Sequence, residues 1–377
     1  MSSIFPTNVR ILTATILAVL VYLMLTGLAR AQFAPPAAAG PHATSNPPAD
    51  GRPTTVSGPA LTESCVVEVP PADYWIVSSW RCPQSGIPWC EADRLDYFHV
   101  GEDRRFQHRD LGTLQRSIHP GIPVCIVVHG SFTTWDSLRS ESVKIFDWIR
   151  RAAPERPLHV VFFTWPSNGP ITYLPHIDIA ILGRRASFNG FYLSQLLGVL
   201  PKKSPIGFFG HSHGARAVAS ALHLSAGGEV QGYQLRTPRS TNGQQVRIVL
   251  SAAAIDHHWL NPGERFGRAL DRVDTALVLH NRDDLPLNVY SLRRLFSHRP
   301  LGLIGFDGKD VCLQNGRIAK VAQLDVTSLI RNSHFWNHYF SRDEIAASMV
   351  RFVYFDDVVG AHSNRSPSDR QQISTGP

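Results

Sequence analysis

Cysteine, charge and long apolar runs are all scarce in this chain, and each scarcity narrows what it can be. The five cysteines, Cys65, Cys82, Cys90, Cys125 and Cys312, are an odd number, and none stands in a Cys-x-x-Cys. That argues against a disulfide scaffold and against a structural zinc knuckle. Cys125 sits inside an apolar run and reads as a small buried hydrophobe, while Cys82 and Cys90 would pair only in an exported domain. Charged residues make up 18% against 43% hydrophobic, the balance of a chain that buries a sizeable core. The net charge of +7 and pI near 9.3 leave anionic partners physically open. The basic residues are scattered, however, and pairs such as Arg150-Arg151, Arg184-Arg185 and Arg293-Arg294 read as solvated helix faces, so no nucleic-acid partner is expected. There is no His-Glu-x-x-His. His211, His213, His257 and His258 have no metal-ligand spacing, and neither a metal nor a cofactor is expected.

The one long apolar run is residues 11–28, free of charge and flanked by Arg10 and Arg30. As a helix it would extend about 27 Å, close to the hydrocarbon thickness of a bilayer. Ala29-Arg30-Ala31 also offers small residues for signal cleavage. Residues 1–31 therefore read as a membrane anchor or signal peptide that exports the rest of the chain: inner-membrane anchored and facing the periplasm or outside, or secreted if cleaved. Residues 32–61, rich in Pro, Ala, Gly, Ser and Thr, read as a disordered tether, 62–360 as one folded domain, and 361–377 as a disordered tail.

Within the domain, residues 73–79 and 95–100 carry aromatic and β-branched residues and predict a pair of opening strands. From residue 123 apolar strands alternate with helical stretches. Strands are predicted at 124–128, 158–164, 206–209, 246–255, 276–279 and 321–326, and helices at 136–152, 177–200, 264–270, 287–295 and 343–355. Strands that are apolar throughout and separated by helices indicate an α/β fold, a mostly parallel sheet covered on both faces.

The strand at 206–209 ends in Gly210-His211-Ser212-His213-Gly214, and an alanine-rich helical stretch follows. A Gly-x-Ser-x-Gly between strand and helix is a nucleophile elbow: the glycines let strand and helix crowd together while Ser212 stands at the tip. A serine hydroxyl needs a base to take its proton and an acid to orient that base. For the acid, Asp284 follows the strand at 276–279, with Asp283 beside it and Asp256 after an earlier strand as alternatives. For the base, His334 follows the last strand, and His338 lies one helical turn further on. The oxyanion needs two backbone N–H donors, predicted at His213 after the nucleophile and at Ser131 after the early strand, with Phe132 next. His211 and His213 are expected to line the mouth of the site.

From about residue 123 to 355 the chain resembles the α/β-hydrolase superfamily, and within it a bacterial family of serine-esterase-like domains whose activity is largely unassigned. The resemblance is carried by His129-Gly130, Phe163-Thr164-Trp165-Pro166-Ser167, Tyr173, Asp178, Ser187, the elbow, Ala252-Ala253-Ala254-Ile255-Asp256, Asp284 with Leu287, and His334. It implies an α/β-hydrolase fold with Ser212, Asp284 and His334 as a triad. The expected function is cleavage of a carboxylic ester, less readily a thioester or amide, through an acyl-enzyme. The polar stretch 227–245 lacks the apolar insertion of a lipase cap, which favours a small-molecule or polymer-linked ester. The competing expectation is a catalytically silent hydrolase fold serving as an envelope binding module, in which neither late histidine approaches Ser212.

Overall fold

The structure is a computed structural model describing residues 73–355 apart from 87, 89–90, 170, 173, 237–243, 292–296 and 314–316. The expected anchor at 11–28, the tether, the tail, Tyr173, Arg293-Arg294, Cys65 and Cys90 with its expected pairing lie outside the described residues. Among those described, no helix is long and apolar enough to cross a membrane.

Nine strands form one sheet: β1 (Tyr74–Ser78), β2 (Asp96–Val100), β3 (Phe106–Arg109), β4 (Val124–Val128), β5 (His159–Thr164), β6 (Ile206–His211), β7 (Val246–Ser251), β8 (Thr275–His280) and β9 (Val321–Asp325). Their spatial order is β3-β2-β1-β5-β4-β6-β7-β8-β9. From β1 to β9 every neighbour is parallel, whereas β2 and β3 extend one edge antiparallel. Residues 106–109 carry no apolar alternation, and the strand they form at the sheet edge goes unannounced in the sequence.

The helices are α1 (Leu111–Ser117), α2 (Trp135–Ala152), α3 (Pro175–Val199), α4 (His213–Ser225), α5 (Leu285–Tyr290), α6 (Leu301–Ile304), α7 (Gly308–Leu313), α8 (Thr327–Ile330), α9 (Trp336–Phe340) and α10 (Asp343–Val353). Successive strand residues face opposite layers, so β4 sends Val124, Ile126 and Val128 to one core, where Leu182, Phe188 and Val218 of α3 and α4 meet them. Cys125 and Val127 join Ile145 and Ile149 of α2 and Met349 and Phe352 of α10 in the other. Each fully buried aliphatic or aromatic side chain contributes about 1.5–3 kcal/mol. Cys125 is buried as expected, and burial pushes its thiol up to about 12.

Three expected elements change at their ends or vanish. β7 stops at Ser251 because Ala252 turns to φ 45° and Ala254 N–H donates to Ser212 O at 3.2 Å, leaving the ladder for the elbow. The helix expected at 264–270 does not form: Gly263 lies at φ 82° and Phe266 N–H turns back to Trp259 O, so only a 3-10 turn at Ala269–Arg272 remains. α5 begins at Leu285, two residues earlier than expected, because Asp284 caps it by accepting from Leu287 N–H at 2.9 Å.

Candidate active site

The site is assembled at the carboxyl ends of β4, β6 and β8 and in the loop before α9. β6 runs to His211, α4 starts at His213, and Ser212 between them takes φ 53° and ψ −121°, the strained turn of a nucleophile elbow. Two groups hold that turn: Ser212 N–H donates to Ser251 O at 3.0 Å, and Ser212 O accepts from Ala254 N–H. The flanking glycines are required sterically. A Cβ on Gly214 would come within 2.2 Å of Val128 O, and one on Gly210 within 2.8 Å of Ala215 Cα. A parallel sheet in this strand order, opened by an antiparallel edge and carrying a strained serine elbow on its fourth parallel strand, decides the fold. It is an α/β-hydrolase fold.

In this hydrolase fold Ser212 Oγ lies 2.9 Å from His334 Nε2, and His334 Nδ1 lies 2.8 Å from Asp284 Oδ2. Asp284 is fully buried, and its other oxygen caps α5, so the carboxylate has one fixed orientation. As a carboxylate only accepts, it puts the proton on Nδ1 and leaves the Nε2 lone pair facing the serine hydroxyl. Ser212 is 6% exposed and the His334 side chain 16%, so the contacting atoms border solvent without standing in it.

The alternatives lie elsewhere. Asp283 is exposed, its N–H turned to Asn281 Oδ1, and Asp256 is buried at the head of the 3-10 helix His257–Leu260. His338 points outward from α9, because His334 precedes that helix instead of sharing a face with it.

Of the oxyanion candidates, Phe132 N–H is already committed to Ser167 O at 2.7 Å, with Phe132 itself at φ 63°. Ser131 is the other candidate of that loop, and its Oγ lies 2.6 Å from His213 Nδ1, tying together the two residues expected to supply the donors. A Cβ on Gly130 would reach 2.9 Å from Ser212 Cβ, so this loop passes directly over the serine.

Beneath the loop runs a relay of hydrogen bonds that starts at the half-buried Trp80. Trp80 Nε1–H donates to Thr164 Oγ1 at 3.0 Å, Thr164 Oγ1–H to His129 Nε2 at 2.8 Å, and His129 Nδ1–H to Gly130 O at 2.8 Å. Trp165 Nε1–H donates to His129 O, and its ring stacks on the imidazole at 6°. Burial lowers His129 to about 4, which keeps it neutral and the relay polarised in one direction. Thus the His129-Gly130 and Thr164-Trp165-Ser167 motifs form the underside of the loop that passes over Ser212.

His211 and His213 do not line the mouth; both rings are buried. His211 Nδ1 lies 3.0 Å from Ser251 Oγ, and its ring packs against His334, at 5.4 Å between centroids, and against Tyr339. Burial pushes His211 well below the ordinary imidazole range, with the neighbouring His334 adding to the effect. Ser187 accepts from Arg216 Nε at 2.7 Å beneath α4, and Asp178 accepts from the N–H groups of Ile171 and Thr172.

Two supports had no signal in the sequence. Asn281 Nδ2 donates to the carbonyls of Arg331 and Ser333 at 2.5 and 3.2 Å and sets the turn that delivers His334. Glu141 of α2 accepts from Trp336 Nε1 at 2.6 Å, two residues past that histidine; burial raises its carboxyl to about 7 against the lowering effect of this bond.

No protein-family model and no curated protein matches the chain. Among solved structures it is similar to esterase B from Lactobacillus rhamnosis in two inhibited forms. These are 13% and 11% identical at a TM-score of 0.36, covering 79% and 78% of this chain and 92% and 91% of the other. It is also similar to an iodinated complex of acetyl xylan esterase, 16% identical at a TM-score of 0.30, covering 63% of this chain and 99% of that one. At such scores the α/β-hydrolase assignment stands on the strand order and the elbow alone.

Proposed function

We propose that the chain is a serine hydrolase that cleaves a carboxylic ester through an acyl-enzyme. The observation that carries this reading is the unbroken line from Ser212 Oγ through His334 to Asp284, with contacts of 2.9 and 2.8 Å. Ser212 Oγ bonds to the acyl carbon as its proton passes to His334 Nε2. The imidazolium is stabilised by Asp284, and the oxyanion by the N–H groups of Ser131 and His213. Collapse breaks the ester C–O bond, the proton moves from His334 to the leaving alkoxide, and the alcohol departs. Water then gives its proton to His334, attacks the acyl-serine and releases the acid while Ser212 regains its hydrogen.

The silent binding module required both late histidines to stand clear of Ser212, and the His334 contact speaks against it. A fluorophosphonate is expected to label the wild type and leave Ser212→Ala unlabelled; equal labelling of both would remove the mechanism.

The substrate class is a soluble or polymer-linked ester. The polar stretch 227–245, which lacks the apolar insertion of a lipase cap, supports this class. Rates on a panel of acyl esters should therefore show no jump when the substrate passes its solubility limit; such a jump would indicate an interfacial lipase. Export and anchoring through residues 11–28 belong to the same proposal, and protease accessibility of the domain on intact cells tests them.

A further inference from the structure

Outside the triad, three imidazoles from two distant stretches meet. His257 and His258 open the 3-10 helix His257–Leu260, and His298 precedes α6. The backbone holds the stretches side by side, with His257 N–H donating to Arg299 O at 3.1 Å and Asp256 bridged to Pro300. Ring centroids lie 4.2 Å apart for His258 and His298, 5.4 Å for His257 and His258, and 5.6 Å for His257 and His298. One ring nitrogen from each residue lies within 4.8 Å of the other two. A tetrahedral ion about 2.0–2.1 Å from each nitrogen needs those nitrogens about 3.4 Å apart, a small side-chain rotation away.

We propose that His257, His258 and His298 bind a divalent transition-metal ion of the zinc class. Imidazole donors select that class over calcium or magnesium, which take oxygen ligands. His257 is already arranged as a ligand: its Nδ1 lies 2.5 Å from Asp310 Oδ2, so the ring is oriented and Nε2 carries the available lone pair.

Asp310 is the support and not itself a ligand. It is 1% exposed, with Oδ1 accepting from Asn261 Nδ2 at 2.6 Å and Oδ2 also accepting from Asp307 N–H at 3.0 Å. Asp307, 3.8 Å from His257 Nδ1, and Glu264, 3.7 Å from His258 Nε2, add negative charge around the cluster. His258 Nδ1 is buried with no hydrogen-bond partner among the described residues, a cost that ring rotation on coordination would relieve. Such an ion would clamp the loop after β7 to the approach to α6. Gly302 N–H of α6 donates to Ala253 O and Ala254 N–H to Ser212 O, so the clamp braces the backbone behind the elbow.

The test uses the full chain stripped with a chelator and titrated with Zn²⁺ by calorimetry, and with Co²⁺ by visible absorption. The wild type is expected to bind one Zn²⁺ per chain and to give the intense absorption of tetrahedral cobalt. His258→Ala and His298→Ala, each folded by circular dichroism, should bind at least about 100-fold more weakly, and Asp310→Asn about 10- to 100-fold more weakly. His338→Ala, an exposed histidine outside the cluster, should bind as the wild type does. Absence of stoichiometric binding by the wild type, or wild-type affinity in both alanine variants, would overturn the proposal whether or not the chain is a hydrolase.

Discussion

At the scale of single residues, the site depends on groups that have only one way to bond. Asp284 accepts from His334 through one oxygen and from Leu287 N–H through the other, so helix cap and histidine partner, which look like rival readings of one residue, are the same carboxylate. Asp284→Asn presents an amide where a second acceptor is needed and turns the imidazole to the wrong tautomer. A fall in kcat of about 10⁴ with little change in KM is expected in steady-state ester hydrolysis. Ser131→Ala removes the 2.6 Å bond to His213 and loosens the two residues proposed as oxyanion donors against each other. One hydrogen bond of ordinary strength corresponds to roughly a five- to tenfold loss in kcat, with KM retained; an unchanged kcat would show the bond to be idle.

At the scale of elements, the ends of β4 and β5 and the start of α2 act as one unit. The relay from Trp80 through Thr164 and His129 to Gly130 crosses from the loop after β1 to the loop over Ser212. Thr164→Val keeps the shape and removes a hydroxyl bonded on both sides, leaving the buried His129 Nε2 with only the longer 3.4 Å contact from Trp165 N–H. A loss of about 1–3 kcal/mol in denaturant unfolding is expected, accompanied by lower turnover. The sequence announced most of these elements, since apolar runs such as 124–128 and 159–164 have no alternative to a buried strand. It did not announce β3 or α8, whose residues lack periodicity and are held by neighbours already in place.

For the whole molecule, burial of ionisable groups sets the response to pH. Burial lowers His129 and His159 to about 4 and His211 well below the ordinary value, so between pH 6.5 and 4 the unfolded chain takes up protons that the fold refuses. Stability therefore falls as pH falls through that window. Glu141, raised to about 7, works the other way: the fold keeps a proton that the unfolded chain releases above pH 4.5, so its contribution falls as pH rises from 4.5 to 7. The imidazoles that burial lowers outnumber the one carboxylate it raises, so the net effect is a loss of stability on acidification through this window. Urea unfolding from pH 4.5 to 7 should show this loss on acidification, and Glu141→Gln should steepen it; a flatter curve in the variant would contradict the raised carboxyl.

What the chain determines by itself is local: which runs must be strands, where a strand must turn through a serine into a helix, and which late carboxylate and histidine come after strand ends. These are consequences of periodicity, glycine placement and apolar content, which need no distant partner. Tertiary structure alone fixes which of two near neighbours makes the contact that the sequence could only favour. Asp284 over Asp283 and His334 over His338 result from which side chain the packed sheet turns inward. The inward rotation of His211 and His213, the bracing by Asn281 and Glu141, and the meeting of His298 with a pair 40 residues earlier arise the same way. Contacts between residues far apart in the chain are set by how sheet and helices close, and no short stretch of sequence contains that information.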